Sequence, residues 1–142
     1  MLVTENKVRI WHPDKVVILT NLENIGKETT IHAFCWIGRD VVIGQKCFIE
    51  AFVFIPEWVT IGDNVFIGPH VCFTNDKRPP SFGEHWAKTI VEDNVSIGAG
   101  AVILPGVTLK KGCVIGAGAV VTKDVEAGVT VVGNPARLYE KL

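Results

Sequence analysis

Two stretches of this sequence hold side chains with reactions to offer, and they differ in kind. In the middle of the chain, Asn75, Asp76, Lys77 and Arg78 run together just before Pro79, with Glu57 eighteen residues before Asn75 and two histidines, His70 and His85, on either side. Carboxylates beside an amide can hold an amine or take a proton from it, and histidine is the side chain whose charge changes nearest neutral pH, so these are parts for acid–base work. Farther on, Ile97-Gly-Ala-Gly-Ala101 and Ile115-Gly-Ala-Gly-Ala119 recur at a spacing of eighteen and are followed by Lys123 and Arg137. Residues this small let a ligand lie against main chain, while Arg offers phosphate a planar fork of donors and Lys a point charge.

Metal chemistry is not expected. A catalytic zinc takes about three protein ligands, and only His70 and His85 fall near the middle of the chain; His12 and His32 read as structural. Cys35, Cys47, Cys72 and Cys113 form no C-x-x-C pair and read as single buried thiols.

The elements that position these residues follow from a repeat. Stepping by six from Leu19 to Phe73, and again from Val91 to Val121, meets a large apolar residue at sixteen of sixteen positions, which chance does not produce at 48% apolar content. Gly often follows that residue, as at Gly68, Gly98 and Gly116, where close approach or strained dihedrals at a corner are expected. Four residues after it stands a small or β-branched side chain, among them Cys35, Cys47 and Cys113. A helix needs apolar residues every three to four positions, so this period predicts short extended segments. Three such segments folded into a triangle point their aliphatics inward and stack on the next turn. One coil is then eighteen residues, and residues eighteen apart sit on the same side, one rung away.

That rule places Glu57 beside Asn75, with Asp76 adjacent, and stacks Ala99 on Ala117. The hexad fails between Phe73 and Val91, where a polar, Pro-rich stretch predicts a loop extruded at about residues 74–90. Phe82 and Trp86 in it are candidates to anchor the loop or to stack on a ligand ring. After Val121 the repeat decays through Gly133 and Pro135, which predicts a short C-terminal cap against further strand addition.

Residues Ile25 to Val121 resemble the hexapeptide-repeat acyltransferase superfamily, and the hand of the helix comes from that resemblance. The fold expected is all-β, a left-handed parallel β-helix forming a single domain over residues 1–142. The segment Val121-Thr-Lys-Asp-Val125 with Gly133-Asn-Pro-Ala-Arg137 resembles the C-terminal border of the CoA site in acetyltransferases of this group. The resemblance implies acetyl-CoA as cosubstrate, main-chain contacts to pantetheine at Ala99 and Ala117, and Lys123 and Arg137 at the phosphates. The run Thr74-Asn-Asp-Lys-Arg-Pro79 resembles that of nucleotide-sugar N-acetyltransferases, which acetylate dTDP- or UDP-linked amino sugars. It implies that Asn75 orients the sugar amine while Asp76 and Glu57 hold it or take its proton. Lys77, Arg78, His85 and Trp86 are then candidates for contacts to the rest of the substrate. Relatives trimerise, so a homotrimer with sites between subunits is expected, its faces bearing exposed Trp36, Phe48, Phe52, Phe54 or Trp58.

An amine partly neutral near pH 7 attacks a thioester without a strong base. A hydroxyl does not, so an O-acetyltransferase would need His70 or His85, and this stands as the alternative. A non-catalytic β-helix scaffold is the second. A net charge of −1 argues against a nucleic-acid binder that relies on a basic face, and the charged N-terminus has no apolar run of signal-peptide or membrane-span length, which predicts a cytoplasmic protein.

Overall fold

In a computed structural model that describes residues 1–140, the chain winds as a left-handed parallel β-helix of about seven turns, a three-sided prism. The central coils give one short strand to each side, and at the two ends face C is reduced to single bridges at Ile25 and Val125. Face A holds nine strands, from Leu2–Val3 and Arg9–Ile10 through Thr30–Ile31, Phe48–Ile49, Phe66–Ile67, Ser96–Ile97 and Val114–Ile115 to Thr130–Val132 and Arg137–Leu138. Face B holds six, from Val17–Ile18 to Val120–Val121, and face C four, from Val42–Ile43 to Thr108–Leu109. Pairing is parallel except at the two ends of face A, where a strand turns back antiparallel.

The second residue of almost every strand points inward. Fifteen of the sixteen hexad positions, from Ile25 to Val121, are buried, and Cys35, Cys47 and Cys113 fill the narrow interior beside them. Burying one aliphatic side chain contributes about 1.5–3 kcal/mol, so a column of stacked isoleucines is the main source of cohesion. The sixteenth position departs from the expectation. Leu19 is exposed, and Ile18 is the residue that pairs with Ile37 at a distance of nineteen. A turn of 3-10 helix at Leu22–Asn24 takes up the extra residue before Ile25.

Register also explains how the phase survives the loop. Ile31, Ile49 and Ile67 stack at eighteen, but Ile67 pairs with Ile97, thirty residues on. The insertion therefore adds twelve residues, two whole hexads, and the aliphatic positions return in step. The loop itself is shorter at its end than the sequence predicts, because Thr89–Val91 is already a strand of face C. Past Val121 the last coil is two residues short, with Val131 stacked on Ile115 and Val125 on Leu109.

The glycine that follows the aliphatic residue is there for contact alone. At Gly98 an added Cβ would stand 2.5 Å from the Ala117 nitrogen of the next coil. The left-handed corner residue lies two positions later, and below the loop it carries a side chain: Phe34, Phe52 and His70 at the A–B edge have φ of 63°, 63° and 62°. Above the loop that same edge has Gly100 and Gly118. No helix among the described residues is long and apolar enough to cross a membrane.

Candidate functional site

The edge between faces B and C carries the extruded loop. The stacking rule holds there: the Asn75 side-chain amide donates to the Glu57 backbone carbonyl at 3.2 Å. The contact is to main chain, which leaves the Glu57 carboxylate without a protein donor among the described residues. Asp76 is committed instead. Its two oxygens accept from the Arg78 N–H at 2.9 Å, the Ser81 N–H at 2.7 Å and the Ser81 hydroxyl at 2.7 Å. Desolvation alone would raise its pKa, but the Ser81 and Arg78 donors and nearby His85 outweigh it and hold the carboxyl below its ordinary 3.8. A carboxylate so placed shapes the loop and is a weaker proton acceptor than a free one.

The loop closes as a small hairpin. Asp76 bridges Trp86 antiparallel, the Lys77 N–H donates to the His85 carbonyl at 3.1 Å and the Ala87 N–H to the Asn75 carbonyl at 2.8 Å. The Trp86 ring meets Trp58 edge-on with centroids 6.0 Å apart, so it anchors the loop to the wall of its own coil. Phe82 at the tip is 93% exposed. Between loop and wall lies a cleft of about 430 Å³, with Phe54, Leu104 and Pro105 as its floor and Thr74, Asn75, Asp76, Lys77 and Pro79 at its mouth.

The edge between faces A and B is the second part. Ala99 and Ala117 stack as expected, with the Gly118 N–H donating to the Ala99 carbonyl at 2.8 Å. Their own N–H groups donate to no protein acceptor among the described residues. Beside them, a Cβ built on Gly100 or Gly118 would meet nothing within 4 Å. The edge thus combines N–H groups that have no protein acceptor among the described residues with bare corners at Gly100 and Gly118, which suits an extended ligand with amide groups. Below, the edge is covered. Phe34, Phe52 and His70 stack face to face with centroids 4.8 Å apart at each step. The sequence puts Phe52 and Trp58 on faces, but both turn corners, and it does not single out Phe34, although the eighteen-residue spacing to His70 carried the signal.

Within one chain the two parts stay apart. His70 turns the corner before the face B strand Cys72–Phe73 and Asn75 lies past the far end of that strand, a chain reach of at most about 17 Å. Glu57, Asn75, Asp76, Lys77, Arg78, His85 and Trp86 share the B–C edge; His70, Ala99 and Ala117 share the A–B edge. Lys123 lies on the B–C edge, one hexad past Ala117. With Arg137 it rims a pocket of about 360 Å³ at the C-terminal end of the prism, floored by Val121, Val125 and Val131. Arg137 donates to the Ala136 carbonyl at 3.0 Å. Among the described residues no cluster of three His, Cys, Asp or Glu side chains is placed to hold a metal. The four cysteines are free thiols; Cys35, Cys47 and Cys113 are buried as expected, with burial pushing Cys113 up to about 11, but Cys72 is half-buried because it takes the outward position of its strand.

With this geometry in hand, comparison with known proteins is informative. Residues 40–75 and 88–123, half of the chain, match the bacterial transferase hexapeptide family model of six repeats. A 2,3,4,5-tetrahydropyridine-2,6-dicarboxylate N-acetyltransferase of Staphylococcus aureus is 49% identical over 63 residues, 44% of this chain and 25% of its own. PerB from Caulobacter crescentus, solved with CoA and GDP-perosamine, superimposes with a TM-score of 0.72 at 22% identity over 94% of this chain and 54% of its own. AntD, an N-acyltransferase from Bacillus cereus solved as a mutant with dTDP-4-amino-4,6-dideoxyglucose and coenzyme A, gives 0.68 at 23% identity over 94% and 77%. The chain thus spans a quarter of the curated relative's length and about half of PerB's. At these identities the two structures share the fold.

Proposed function

The chain belongs to the bacterial transferase hexapeptide family, and from that premise we propose that it is a cytoplasmic N-acetyltransferase that moves the acetyl group of acetyl-CoA onto the amine of a nucleotide-linked amino sugar. The observation that carries this reading is the pairing of two unlike edges: a bare one where the Ala99 and Ala117 N–H groups have no protein acceptor among the described residues, and a polar one where Asn75, bonded to the Glu57 carbonyl, lines a cleft. PerB and AntD, which share the fold, were solved with CoA and with a nucleotide-linked amino sugar.

The amine lone pair attacks the thioester carbonyl carbon, a C–N bond forms, and the C–S bond breaks as the tetrahedral intermediate collapses. The proton shed by nitrogen ends on the departing sulfur, giving an amide and free CoA thiol. Most of the barrier is met by position, since holding an amine against a bound thioester is worth about 7–11 kcal/mol at best. Glu57 supplies the carboxylate that holds the amine, Asn75 sets its direction, and Asp76 works through the loop it organises. Lys77 in the cleft and Arg78 next to it in the loop pair with the diphosphate, and Lys123 and Arg137 with the phosphates of CoA.

Both edges must then belong to one site, and a second copy brings them together. The outward row of face B is apolar on every strand: Val17, Trp36, Phe54, Cys72, Val102 and Val120. Three prisms packed with face B toward a common axis set the A–B edge of one copy against the B–C edge of the next. A homotrimer with three such sites follows, and it buries the apolar row.

A panel of dTDP-, UDP- and GDP-linked amino sugars, each beside its hydroxyl counterpart, tests the activity through release of CoA thiol. Thiol release with an amino sugar and none with its hydroxyl analogue is expected. Turnover of hydroxyl sugars alone, abolished in His70→Ala and intact in Asp76→Ala, would replace this reading with O-acetylation on a histidine base.

A further inference from the structure

The A–B edge changes character at a single rung, and the change bears on which acyl groups the site accepts. From the C-terminal end downward its corners are Gly118 and Gly100, both left-handed and both with open space where a side chain would stand. The next corner down is His70, whose φ of 62° matches theirs in sign but whose ring fills the edge. That ring does not lie free. It is parallel to Phe52 within 4°, and Phe52 is parallel to Phe34 within 8°, so three rings form one column along the prism axis.

One face of the imidazole is covered by Phe52. The other looks along the axis toward Gly100. The bare edge therefore has a flat aromatic floor, held in place from beneath by two phenyl rings. A ring stacked on a second and a third resists displacement, because moving it breaks the aromatic contacts along the column.

We infer that the His70 ring, held flat by Phe52, is the floor that limits the length of the acyl group, so that the site takes acetyl and excludes longer chains. The inference rests on the CoA reading of this edge. With the CoA phosphates at the C-terminal end, near Arg137, the pantetheine arm runs down past Ala117 and Ala99 and delivers the thioester near Gly100. The acyl carbons beyond the carbonyl then point at the imidazole face. A two-carbon group stops short of it, and each added methylene closes the gap. Removing the ring opens one further coil of the edge, about 4.8 Å. In this account Phe52 touches no substrate and is a positioning residue for the floor.

Calorimetric binding of acetyl-CoA and hexanoyl-CoA to the intact protein, His70→Ala and Phe52→Ala tests this without depending on turnover. The wild type is expected to bind acetyl-CoA at least tenfold tighter than hexanoyl-CoA. In His70→Ala the preference should fall by at least tenfold or reverse, with Phe52→Ala intermediate because its imidazole is retained but loose. His70→Phe, which keeps a flat ring without the nitrogens, should restore the wild-type preference, an outcome a proton-transfer role does not predict. If the wild type binds acetyl-CoA and the ratio is the same in all four proteins, the floor is elsewhere while the CoA site stands. If the wild type binds neither thioester, the CoA reading of the edge falls and the floor with it.

Discussion

The coils below the extruded loop and those above it turn the same corners with different residues, and the difference separates architecture from access. Below, the left-handed corner positions are Glu28, Phe34, Lys46, Phe52, Trp58, Asn64 and His70; above Asn94 they are Gly100, Gly106, Gly112, Gly118 and Gly128. A left-handed conformation costs a residue with a Cβ about 1–2 kcal/mol. The lower coils bear that cost repeatedly and stack rings against it. The backbone therefore does not demand glycine at these corners. What glycine adds at Gly100 and Gly118 is space, and it adds it beside the main-chain groups of Ala99 and Ala117.

The comparison is broken most directly by making an upper corner look like a lower one. Gly100→Phe extends the ring column of Phe34, Phe52 and His70 by one rung and covers the bare edge. CoA affinity should fall at least a hundredfold, about 2.7 kcal/mol, while the thermal midpoint drops no more than the left-handed cost of about 1–2 kcal/mol implies. Calorimetry paired with a melting curve checks both. Unchanged CoA binding in a folded variant would remove the edge from the site.

Gly98→Ala is the counterpart, because that glycine is required by the neighbouring coil and by nothing else. Its new Cβ would lie 2.5 Å from the Ala117 nitrogen, so adjacent coils must part. A loss of about 1–3 kcal/mol is expected, as for overpacked cores, read as a fall of several degrees in Tm. The two glycines are two positions apart in sequence, and Tm should separate them: Gly98→Ala lowers it most, while CoA affinity falls in both because the Cβ at 98 displaces Ala117.

The same contrast shows what could be read without coordinates. Every sixth residue is aliphatic because every strand has one inward position that neighbours must match, so the prism was legible. Its first coil was not, since Leu19 and Ile18 are both apolar and only the turn at Leu22–Asn24 tells which faces inward. The glycines after the aliphatics looked like turn residues, yet the left-handed position lies two residues later, where below the loop Phe, Lys or Trp hides it. That Lys123 stands on a different edge from Ala117 was legible too, because residues one hexad apart lie on successive edges. The commitment of Asp76 to Ser81 and Arg78 was beyond reach, because it depends on how the loop folds back.

Asp76 sharpens the comparison from the loop side. Asp76→Ala should lower kcat/KM for the nucleotide sugar about tenfold through KM, about 1.4 kcal/mol, with little change in Tm because the loop lies outside the core. Its carboxyl is held below 3.8 in the folded chain, so its stabilisation is complete above that value and is lost as pH falls through the lower folded one. Exchange of the Arg78 and Ser81 amides should stay slow from neutral pH to about pH 5 and, once intrinsic rates are allowed for, quicken only in stronger acid.

The smallest effect concerns the interior common to both regions. Cys113, raised by burial to about 11, stays a thiol at pH 8, so thiolate-seeking reagents should leave it unlabelled in the folded protein and label it on unfolding. Its contribution to stability is full below the ordinary 9.0 and is lost as pH rises toward about 11. Labelling of Cys113 as fast in the native protein as after unfolding would contradict the packed interior.

The central claim is that the bare edge of one copy and the polar edge of another make one active site. Two variants test it, Gly100→Phe on the first edge and a Glu57→Ala, Asn75→Ala double change on the second, each expected to release little CoA thiol with an amino-sugar acceptor. Unfolded together and refolded as a mixture, they should regain a substantial fraction of wild-type thiol release, since some sites then pair an intact bare edge with an intact polar edge. A mixture no more active than its parts, although mass measurements find both variants in one assembly, would contradict the shared site.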